Sequence, residues 1–328
     1  MTSFQKKIVL YILIAVAVAL VFGTMFFLLH IWEEKNSDFK SDSDFMMADV
    51  LTYDGKEYIL RDQIETILVM GIDKFSDEVE GGSYNNDQRA DFLILFVMDH
   101  KRGTYSSIQL NRDTITDVTV LGIGGKKVGV VKEQLALAHT YGSGGDDSCR
   151  NTARAAAAIF GGMRIDYYLS LTMDAVYVLN DAVGGVTLEV KDDLSARDPA
   201  LVKGATVTLT AEQALTYIRE RYALEDSTNV ARMERQHQYI DALYSEMIEY
   251  FAENDSFPTD TLSKLSKHMT TNCSSSKMEH IFDKLVNYSN GGIYGIDGEI
   301  SVKEYVEFYP NEDSIKKLLA TLFYEPRP

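Results

Sequence analysis

The sequence predicts an α/β domain whose central sheet is covered on both faces and which follows one membrane-spanning helix. Short runs rich in Val, Ile, Leu and aromatic residues alternate with segments of helical periodicity, and several of these runs are apolar on both faces. An uncharged apolar run near the N-terminus predicts the membrane helix. With 328 residues, 45% of them hydrophobic, the chain can bury a substantial core and is not a disordered protein.

The membrane helix is predicted from residues 8–29, which contain no charged side chain and can cross the roughly 30 Å hydrocarbon layer once. Two lysines precede the run and two glutamates follow it, so residues 1–7 are expected in the cytoplasm. A cleaved signal peptide is less favoured, because the run is long and no small-residue cleavage site follows it closely. We therefore expect a single-pass protein of the cell membrane, anchored by residues 8–32, with its domain outside the cell.

A spacer and one extracellular domain are expected after the anchor. The spacer is assigned to residues 33–60, because residues 36–49 are polar and acidic, and the domain is assigned to residues 61–328. In an oxidising space Cys149 and Cys273 could pair, but their separation in sequence gives no support for a disulfide. Two buried free thiols are an equal alternative.

The alternating elements can be placed along the domain. Strands are predicted at residues 66–72, 91–98, 105–110, 167–171 and 186–190. Helices are predicted at residues 132–139, 151–160, 173–182, 211–219, 230–251 and 313–322. Thr210 followed by Gln213 forms a capping box, which fixes the start of the fourth helix.

Charge and motif content exclude several classes of function. The formal net charge of −17 argues against a nucleic-acid partner, because binding to a phosphate backbone needs a positive surface. The six histidines form no HExxH motif and there is no GxSxG motif, so a zinc hydrolase and a serine hydrolase are disfavoured. Residues 122–127 are glycine-rich but lack the spacing of a phosphate-binding loop.

Arginines recur at the predicted ends of strands and helices. The set comprises Arg89, Arg112, Arg219, Arg221, Arg232 and Arg235, and Gln236 shares a helix face with Arg232. Guanidinium groups at such positions are well placed to bind phosphate oxygens in pairs. For any single arginine, a structural salt bridge with one of the 49 acidic residues is the stronger alternative. The number of arginines at element ends favours an anion site.

Two carboxylates complete the candidate site. Asp73 follows the first predicted strand and Asp91 opens the second, so both are expected at one rim of the sheet. Carboxylate oxygens at such a rim can hold a hard cation such as Mg²⁺. Arginines for a pyrophosphate beside two aspartates for Mg²⁺ form the minimum set for phosphoryl transfer, which depends on positioning and charge neutralisation.

Seven motifs in this order, following a single membrane helix, resemble the LytR-CpsA-Psr family, with dense matches over residues 67–242. The motifs are Gly71-Ile72-Asp73, Arg89-Ala90-Asp91, Asn111-Arg112-Asp113-Thr114, Ile165-Asp166-Tyr167-Tyr168, Asp181-Ala182-Val183-Gly184-Gly185-Val186, Leu209-Thr210-x-x-Gln213-Ala214-Leu215 with Arg219-x-Arg221, and Arg232-x-x-Arg235-Gln236. The resemblance implies an α/β/α sandwich with a mixed central sheet and a long apolar pocket that binds a lipid chain. It also implies a membrane-anchored, Mg²⁺-dependent phosphotransferase. Members move anionic glycopolymers, such as wall teichoic acid or capsular polysaccharide, from a polyprenyl-pyrophosphate carrier onto peptidoglycan.

The resemblance assigns roles by matching motif. Asp73 and Asp91 are implied as Mg²⁺ ligands and, with Arg112, as the catalytic residues, while Asp113 is expected to orient Arg112. The implied pyrophosphate cradle consists of Arg89, Arg112, Arg219, Arg221, Arg232 and Gln236, with Arg235 less clearly included. The apolar pocket is expected around Phe92, Leu93, Leu95, Val97 and residues 135–138 and 155–159, and an ordinary hydrophobic core is the alternative for each of them. The chain departs from the usual Arg-Ser-Asp-Thr motif at Ala90 and Phe92.

Two other functions share most of these features. A hydrolase that cleaves the carrier pyrophosphate with water would bind the same donor. A non-catalytic envelope regulator would keep the anchor and the fold but could dispense with the metal ligands, and the retained Asp73 and Asp91 argue against it. A DNA-binding regulator is disfavoured by the net charge and by the expected outward-facing domain.

Overall fold

The computed structural model describes residues 47–75, 87–122, 125–220, 229–254 and 256–328. The predicted cytoplasmic tail, the anchor at residues 8–32 and the first part of the spacer lie outside the described residues. Within the described ranges, no helix is both long and apolar enough to cross a membrane.

The described chain begins with seven strands, and helices are interspersed with strands after them. The strands are β1 Val50–Tyr53, β2 Lys56–Leu60, β3 Ile64–Ile72, β4 Ala90–Asp99, β5 Thr104–Gln109, β6 Ile115–Leu121, β7 Lys127–Gln134, β8 Tyr167–Leu171, β9 Thr187–Glu189, β10 Thr206–Thr208, β11 Met269–Thr271, β12 Ser289–Tyr294, β13 Gly298–Val302, β14 Val306–Pro310 and β15 Tyr324–Pro326. The helices are a 3₁₀ helix, Leu135–Tyr141, and the α-helices α1 Asp146–Ile159, α2 Asp174–Ala182, α3 Ala211–Arg219, α4 Asn229–Glu253, α5 Phe257–Leu265, α6 Ser275–Asn287 and α7 Glu312–Leu322.

Six strands form the central sheet in the order β11-β8-β3-β4-β5-β12. β3 pairs in parallel with β8, and β5 with β12, whereas β3–β4, β4–β5 and β8–β11 are antiparallel. The predicted α/β fold with a mixed central sheet is therefore confirmed. Its central strands are apolar on both faces, as the sequence indicated.

Most predicted elements are present with shifts of a few residues at their ends. The start of α3 is confirmed in detail, because the Thr210 side chain accepts a hydrogen bond from the Gln213 amide and the Gln213 side chain accepts one from the Thr210 amide. The helix predicted at residues 132–139 is wrong. β7 continues to Gln134, because its residues complete a ladder with β6, and only a 3₁₀ helix follows.

The spacer predicted at residues 33–60 extends too far. Residues 50–60 form the β1–β2 hairpin, and β2 pairs with the C-terminal strand β15. Asp54 and Gly55 both have positive φ, at 49° and 69°, which is the backbone of a tight hairpin turn. This Asp-Gly pair was the sequence signal that the spacer assignment missed.

The two faces of the sheet can be separated by register. Met70 of β3 lies opposite Leu93 of β4 and Ser170 of β8, and Ser170 hydrogen-bonds Cys149 of α1. We call this side the packed face. The next residue, Gly71, lies opposite Phe92 and Leu171, whose side chains point the other way because side chains alternate along a strand. We call this second side the open face.

The open face is covered along only part of its length. Near one end of the strands, Met98 and Tyr105 pack with side chains of α5 and α6. At the other end, α2, α3 and α4 lie over the sheet and leave a cavity beneath them.

Cys149 and Cys273 are both buried and free, so the free-thiol alternative holds.

Candidate active site

A cavity of about 690 Å³ lies between the open face and helices α2, α3 and α4. Its wall is largely apolar, with Val69, Phe92, Leu171, Val176, Leu179 and Ile240 among the lining residues. Charged side chains also line it, namely Asp73, Asp91, Arg197, Arg219, Glu220 and Arg232. The cavity therefore combines an apolar interior with a cluster of paired charges.

A β-bulge explains how Asp91 reaches this cavity. Gly71 pairs with Phe92, but the next residue, Ile72, pairs with Ala90, so Asp91 is an extra residue without a partner in the ladder. In a regular strand Asp91 would point away from Phe92, onto the packed face. Because a bulge re-aims side chains, Asp91 and Phe92 both line the cavity despite being neighbours in sequence.

Two buried arginines contact the Asp91 carboxylate. Nη1 of Arg112 binds Oδ2 of Asp91, and Nη1 of Arg232 lies 3.7 Å from the same oxygen. Arg112 comes from the loop between β5 and β6, whereas Arg232 lies in the first turns of α4. The Arg232 side chain is only 4% exposed, so its charge is held within the site rather than in solvent. Nε of Arg112 lies 3.4 Å from Oδ1 of Asp113.

A second ion pair lies at the more exposed edge of the cluster. Asp73 follows β3, and its amide donates to the carbonyl of Arg89 at 3.2 Å. Its Oδ1 accepts a hydrogen bond of 2.7 Å from Nη2 of Arg219, the last residue of α3. The Arg219 side chain is 49% exposed, so a ligand can reach this pair from solvent.

The other members of the predicted cradle divide into three groups. Gln236 lines the cavity and donates to the carbonyl of Ile218 at 3.1 Å. The Arg89 side chain is exposed and is not among the residues that line the cavity. Arg221 lies outside the described residues.

Arg235 is a structural residue. It is completely buried, it donates to the carbonyl of Tyr217 at 2.8 Å and to the carbonyl of Glu220, and it pairs with Asp192 at 2.6 Å. These bonds fasten the end of α3 to α4. Arg235 thereby fixes the helix end that presents Arg219, and each nitrogen of its own guanidinium already donates to a protein oxygen.

Of the residues considered for the pocket wall, only Phe92 lines this cavity. Leu93 pairs with Met70, and Leu95 with Leu68, so both belong to the packed face, and Val97 follows them in alternation. The segments 135–138 and 155–159 belong to the 3₁₀ helix and α1, and α1 packs on that same face. Sequence analysis mixed the two faces because both sides of β4 are apolar. It also did not assign the helix predicted at residues 173–182, which is α2, to the pocket wall, although α2 supplies Val176 and Leu179.

The charged cluster has features that suit a divalent cation. Among the described residues, Oδ1 of Asp91 is buried and has no hydrogen-bond partner. The three arginines Arg112, Arg219 and Arg232 face three aspartates, Asp73, Asp91 and Asp113, so their formal charges cancel. A pyrophosphate would therefore need further positive charge. The described part of the chain contains no group of three or more His, Cys, Asp or Glu that could hold a metal. Mg²⁺ commonly takes one or two carboxylates, with water and phosphate oxygens as its other ligands, so the donor set fits.

Sequence analysis missed one ion pair at the cavity wall. Nε of Arg197 lies 2.7 Å from Oε2 of Glu220, and both residues line the cavity beside Arg219. Arg197 comes from the segment between β9 and β10, which carried no motif. The position of Glu220 between Arg219 and Arg221 was the only signal available.

Comparison with known proteins gives consistent matches over most of the chain. Residues 32–322 match the model of the LytR_cpsA_psr family. The polyisoprenyl-teichoic acid–peptidoglycan teichoic acid transferase TagU of Bacillus cereus is 28% identical over 227 residues, which are 69% of this chain and 64% of that protein. The chain thus spans slightly less than two thirds of that relative. TagU of Bacillus anthracis is 23% identical over 287 residues, covering 87% of this chain and 85% of the relative.

Solved structures support the fold. Bacillus subtilis TagV matches with a TM-score of 0.60 and 22% identity over 80% of this chain and 97% of TagV. TagT bound to LI-WTA matches with a TM-score of 0.59 and 19% identity, over 80% of this chain and 91% of TagT. At these identities the likeness shows the fold alone. Because the family model matches most of the sequence, from residue 32 to residue 322, the chain belongs to the LytR_cpsA_psr family.

Proposed function

We propose that this protein transfers an anionic glycopolymer, of the teichoic-acid or capsular-polysaccharide type, from a polyprenyl-pyrophosphate carrier to peptidoglycan. One observation carries the proposal: Asp91, paired with Arg112 and Arg232, and Asp73, paired with Arg219, both line an apolar cavity of about 690 Å³. A lipid-linked pyrophosphate has the same two parts, an apolar chain and an anionic head. The names of the TagU relatives support a transferase that acts on teichoic acid and peptidoglycan.

The two parts of the site have separate roles in this proposal. The apolar wall receives the prenyl chain, which removes apolar surface of the chain from water. Arg112, Arg219 and Arg232 bind the pyrophosphate oxygens, because guanidinium forks match phosphate geometry. In the structure these arginines are held by Asp91 and Asp73, so they are oriented before a ligand arrives.

Asp73 and Asp91 would hold Mg²⁺, with the buried Oδ1 of Asp91 as one ligand atom. Bound there, the ion would supply the positive charge that the balanced cluster lacks and would neutralise phosphate oxygens. With the ion bound, the arginines would not have to neutralise the pyrophosphate alone. They would fix it in position and stabilise the charge that grows on the departing phosphate.

The transfer exchanges one phosphorus–oxygen bond for another. A sugar hydroxyl of peptidoglycan attacks the phosphorus nearest the glycopolymer, and the bond from that phosphorus to the bridging oxygen breaks. Polyprenyl phosphate leaves with the bonding electrons, and the hydroxyl proton passes to one of the two rim carboxylates, Asp73 or Asp91. No covalent enzyme intermediate is required.

The proposed location agrees with this reaction. An anchor at residues 8–32 with a cytoplasmic N-terminus would place the domain outside the cell membrane. A lipid-linked donor is confined to the membrane, and the acceptor lies beyond it. A single-pass anchor would therefore hold the site between its two substrates.

Transfer and hydrolysis can be separated in one assay. The purified full-length protein is incubated with lipid-linked glycopolymer, Mg²⁺ and peptidoglycan, and glycopolymer bound to peptidoglycan is measured beside free glycopolymer phosphate. We expect bound product, and free product alone would replace the proposal with the hydrolase. Arg219→Ala should abolish product formation. Arg327→Ala is the matched control, because Arg327 also forms a half-exposed ion pair of 2.7 Å, with Glu57.

A further inference from the structure

The loop that carries Arg112 is held by a hairpin from the far end of the chain. The amide of Phe308, in β14, donates to the carbonyl of Asp113 at 2.8 Å, and Thr114 forms a parallel bridge with the same residue. The Phe308 side chain is buried, which anchors the hairpin against the domain. The β13–β14 hairpin therefore braces the backbone next to Arg112, although nearly 200 residues separate them in sequence.

One side chain connects this hairpin to the arginine. Gln134 is the last residue of β7, and its Nε2 donates to the carbonyl of Val306 at 2.6 Å. The same Nε2 donates to Oδ1 of Asp113 at 3.3 Å. That carboxylate oxygen is also the one that lies 3.4 Å from Nε of Arg112. A continuous set of polar contacts thus runs from the hairpin through Gln134 and Asp113 to Arg112.

We infer that Gln134 is a positioning residue for Arg112, braced by the β13–β14 hairpin. This inference rests on the proposed function, in which Arg112 binds the pyrophosphate. The contact between Nε of Arg112 and Asp113 is an ion pair rather than a hydrogen bond, because Nε has no hydrogen-bond partner among the described residues. This attraction holds the Nε side of the planar, rigid guanidinium group towards Asp113, and Nη1 on its other side binds Asp91. By its hydrogen bond, Gln134 restricts the Asp113 carboxylate to one orientation and thereby keeps the Arg112 guanidinium directed towards Asp91.

The amide chemistry of Gln134 suits this position. A single neutral NH₂ group supplies both donors, one to a backbone carbonyl and one to a carboxylate. A glutamate of the same shape would have no donor for either oxygen at neutral pH. It would also place a negative charge beside Asp113, where like charges repel.

The test compares two variants that exchange amide and carboxylate at adjacent positions. Gln134→Glu should lower kcat for transfer roughly tenfold or more, because small displacements of a positioning group have effects of this size. KM for the lipid-linked donor should change little, because its apolar chain binds in the cavity, which Arg112 does not line, and the melting temperature should also change little. Glu133→Gln is the matched control, since Glu133 points to the other face of β7, and it should behave as the wild type. An unchanged kcat in Gln134→Glu, or an equal loss in Glu133→Gln, would overturn the inference.

A double-mutant cycle tests whether Gln134 acts through Asp113. Gln134→Ala should lower kcat in the wild-type background and cause no further loss in Asp113→Ala, whereas additive losses would contradict the inference. Should Asp113→Ala fail to fold, the Gln134→Glu and Glu133→Gln pair still decides. If the wild type transfers no glycopolymer, the proposed function fails. Calorimetry with inorganic pyrophosphate and Mg²⁺ then decides the inference, which requires weaker binding by Gln134→Glu than by both the wild type and Glu133→Gln.

Discussion

The two faces of the central sheet are built from the same strands but are used differently. On the packed face, Leu68, Met70, Leu93 and Leu95 are at most 1% exposed. On the open face, Gly71, Phe92 and Leu171 lie opposite one another and border a cavity. Composition does not distinguish the two sides, since both are apolar. What distinguishes them is the layer above, which is close-packed on one side and held apart from the sheet on the other.

Because of this difference, the packed face mainly contributes to the stability of the fold, whereas the open face carries the groups proposed for catalysis. A side chain on the packed face contacts neighbours all round, so truncating it opens a new void. A side chain on the open face already borders empty space, so its loss costs less packing. The charged groups that line the cavity lie at the open face, where a bulge places Asp91. Substitutions on the two faces should therefore affect different measurements.

The largest effect is expected at the bulge. Asp91→Asn should lower transfer roughly 10²–10³-fold, which is typical when a charge-stabilising group is removed from an active site. Stimulation of the rate by Mg²⁺ should disappear as well, because the neutral amide is a poor ligand. Initial rates measured across a Mg²⁺ titration test both effects.

The control for this variant is Asp117→Asn. Asp117 lies in β6, outside the cavity lining, and pairs with Lys132 at 2.8 Å on the surface. Its substitution should leave the rate and the Mg²⁺ dependence unchanged. Full metal-stimulated turnover by Asp91→Asn would show that Asp91 is not a ligand.

The next effect is on stability and compares leucines from opposite faces. Leu95→Ala should lower the free energy of unfolding by about 2–5 kcal/mol, since a completely buried leucine leaves a closed void. Leu171→Ala should cost clearly less, because this side chain is only partly buried and borders the cavity. Urea denaturation of both variants measures the difference. Equal losses would mean that the two faces are packed alike.

The sequence was sufficient for the strands of the sheet but not for the division between its faces. Apolar runs located β3, β4, β5 and β8 to within two residues, because burial on both faces leaves a strong local signal. Register is a property of strand pairs, so nothing within β4 alone could show that Phe92 and Leu93 face different layers. The bulge at Asp91 likewise appears only in the pairing of β3 with β4.

Contacts between distant segments account for the other errors. β2 is stabilised by pairing with β15, and the Arg112 loop is braced by β14, so the sequence around each of these elements carries little evidence of its partner. The candidate charged residues were still found, because arginines and aspartates at element ends are visible locally. Their separation into Asp91 with Arg112 and Arg232, and Asp73 with Arg219, required the fold.

A smaller effect is expected on the free energy of unfolding when the pH is lowered, and it arises from a histidine on the packed side of the sheet. His139 is buried beside Cys149, and burial lowers the pKa of His139 to about 4. The unfolded chain binds this proton near pH 6.5, so stability is complete above that pH and is lost as the pH falls toward 4. Between pH 7 and pH 5 the loss should be about 2 kcal/mol from this residue.

The measurement is the free energy of unfolding at both pH values, compared with His139→Asn. The variant lacks the titrating ring but can still donate toward the carbonyl of Gln88, which lies 2.9 Å from Nδ1 of His139. Carboxylates contribute equally to the pH dependence of both proteins. A difference between them in the change of unfolding free energy with pH is therefore due to His139. Parallel slopes would show that the ring titrates equally in the folded and unfolded chains.

The smallest effect is expected on donor binding, from a substitution that changes the apolar part of the cavity and leaves its charged part intact. Val176 of α2 lines the cavity, and Val176→Phe would narrow it without touching an ion pair. We expect KM for a long-chain donor to rise about tenfold, equivalent to about 1.4 kcal/mol of lost binding, with kcat nearly unchanged. A prenyl pyrophosphate of one or two isoprene units should lose less affinity than the long-chain donor, because it places less apolar chain in the narrowed cavity. Equal losses for both ligands would mean that the substitution disturbs the charged cluster, and undiminished binding of the long chain would mean that the chain lies elsewhere.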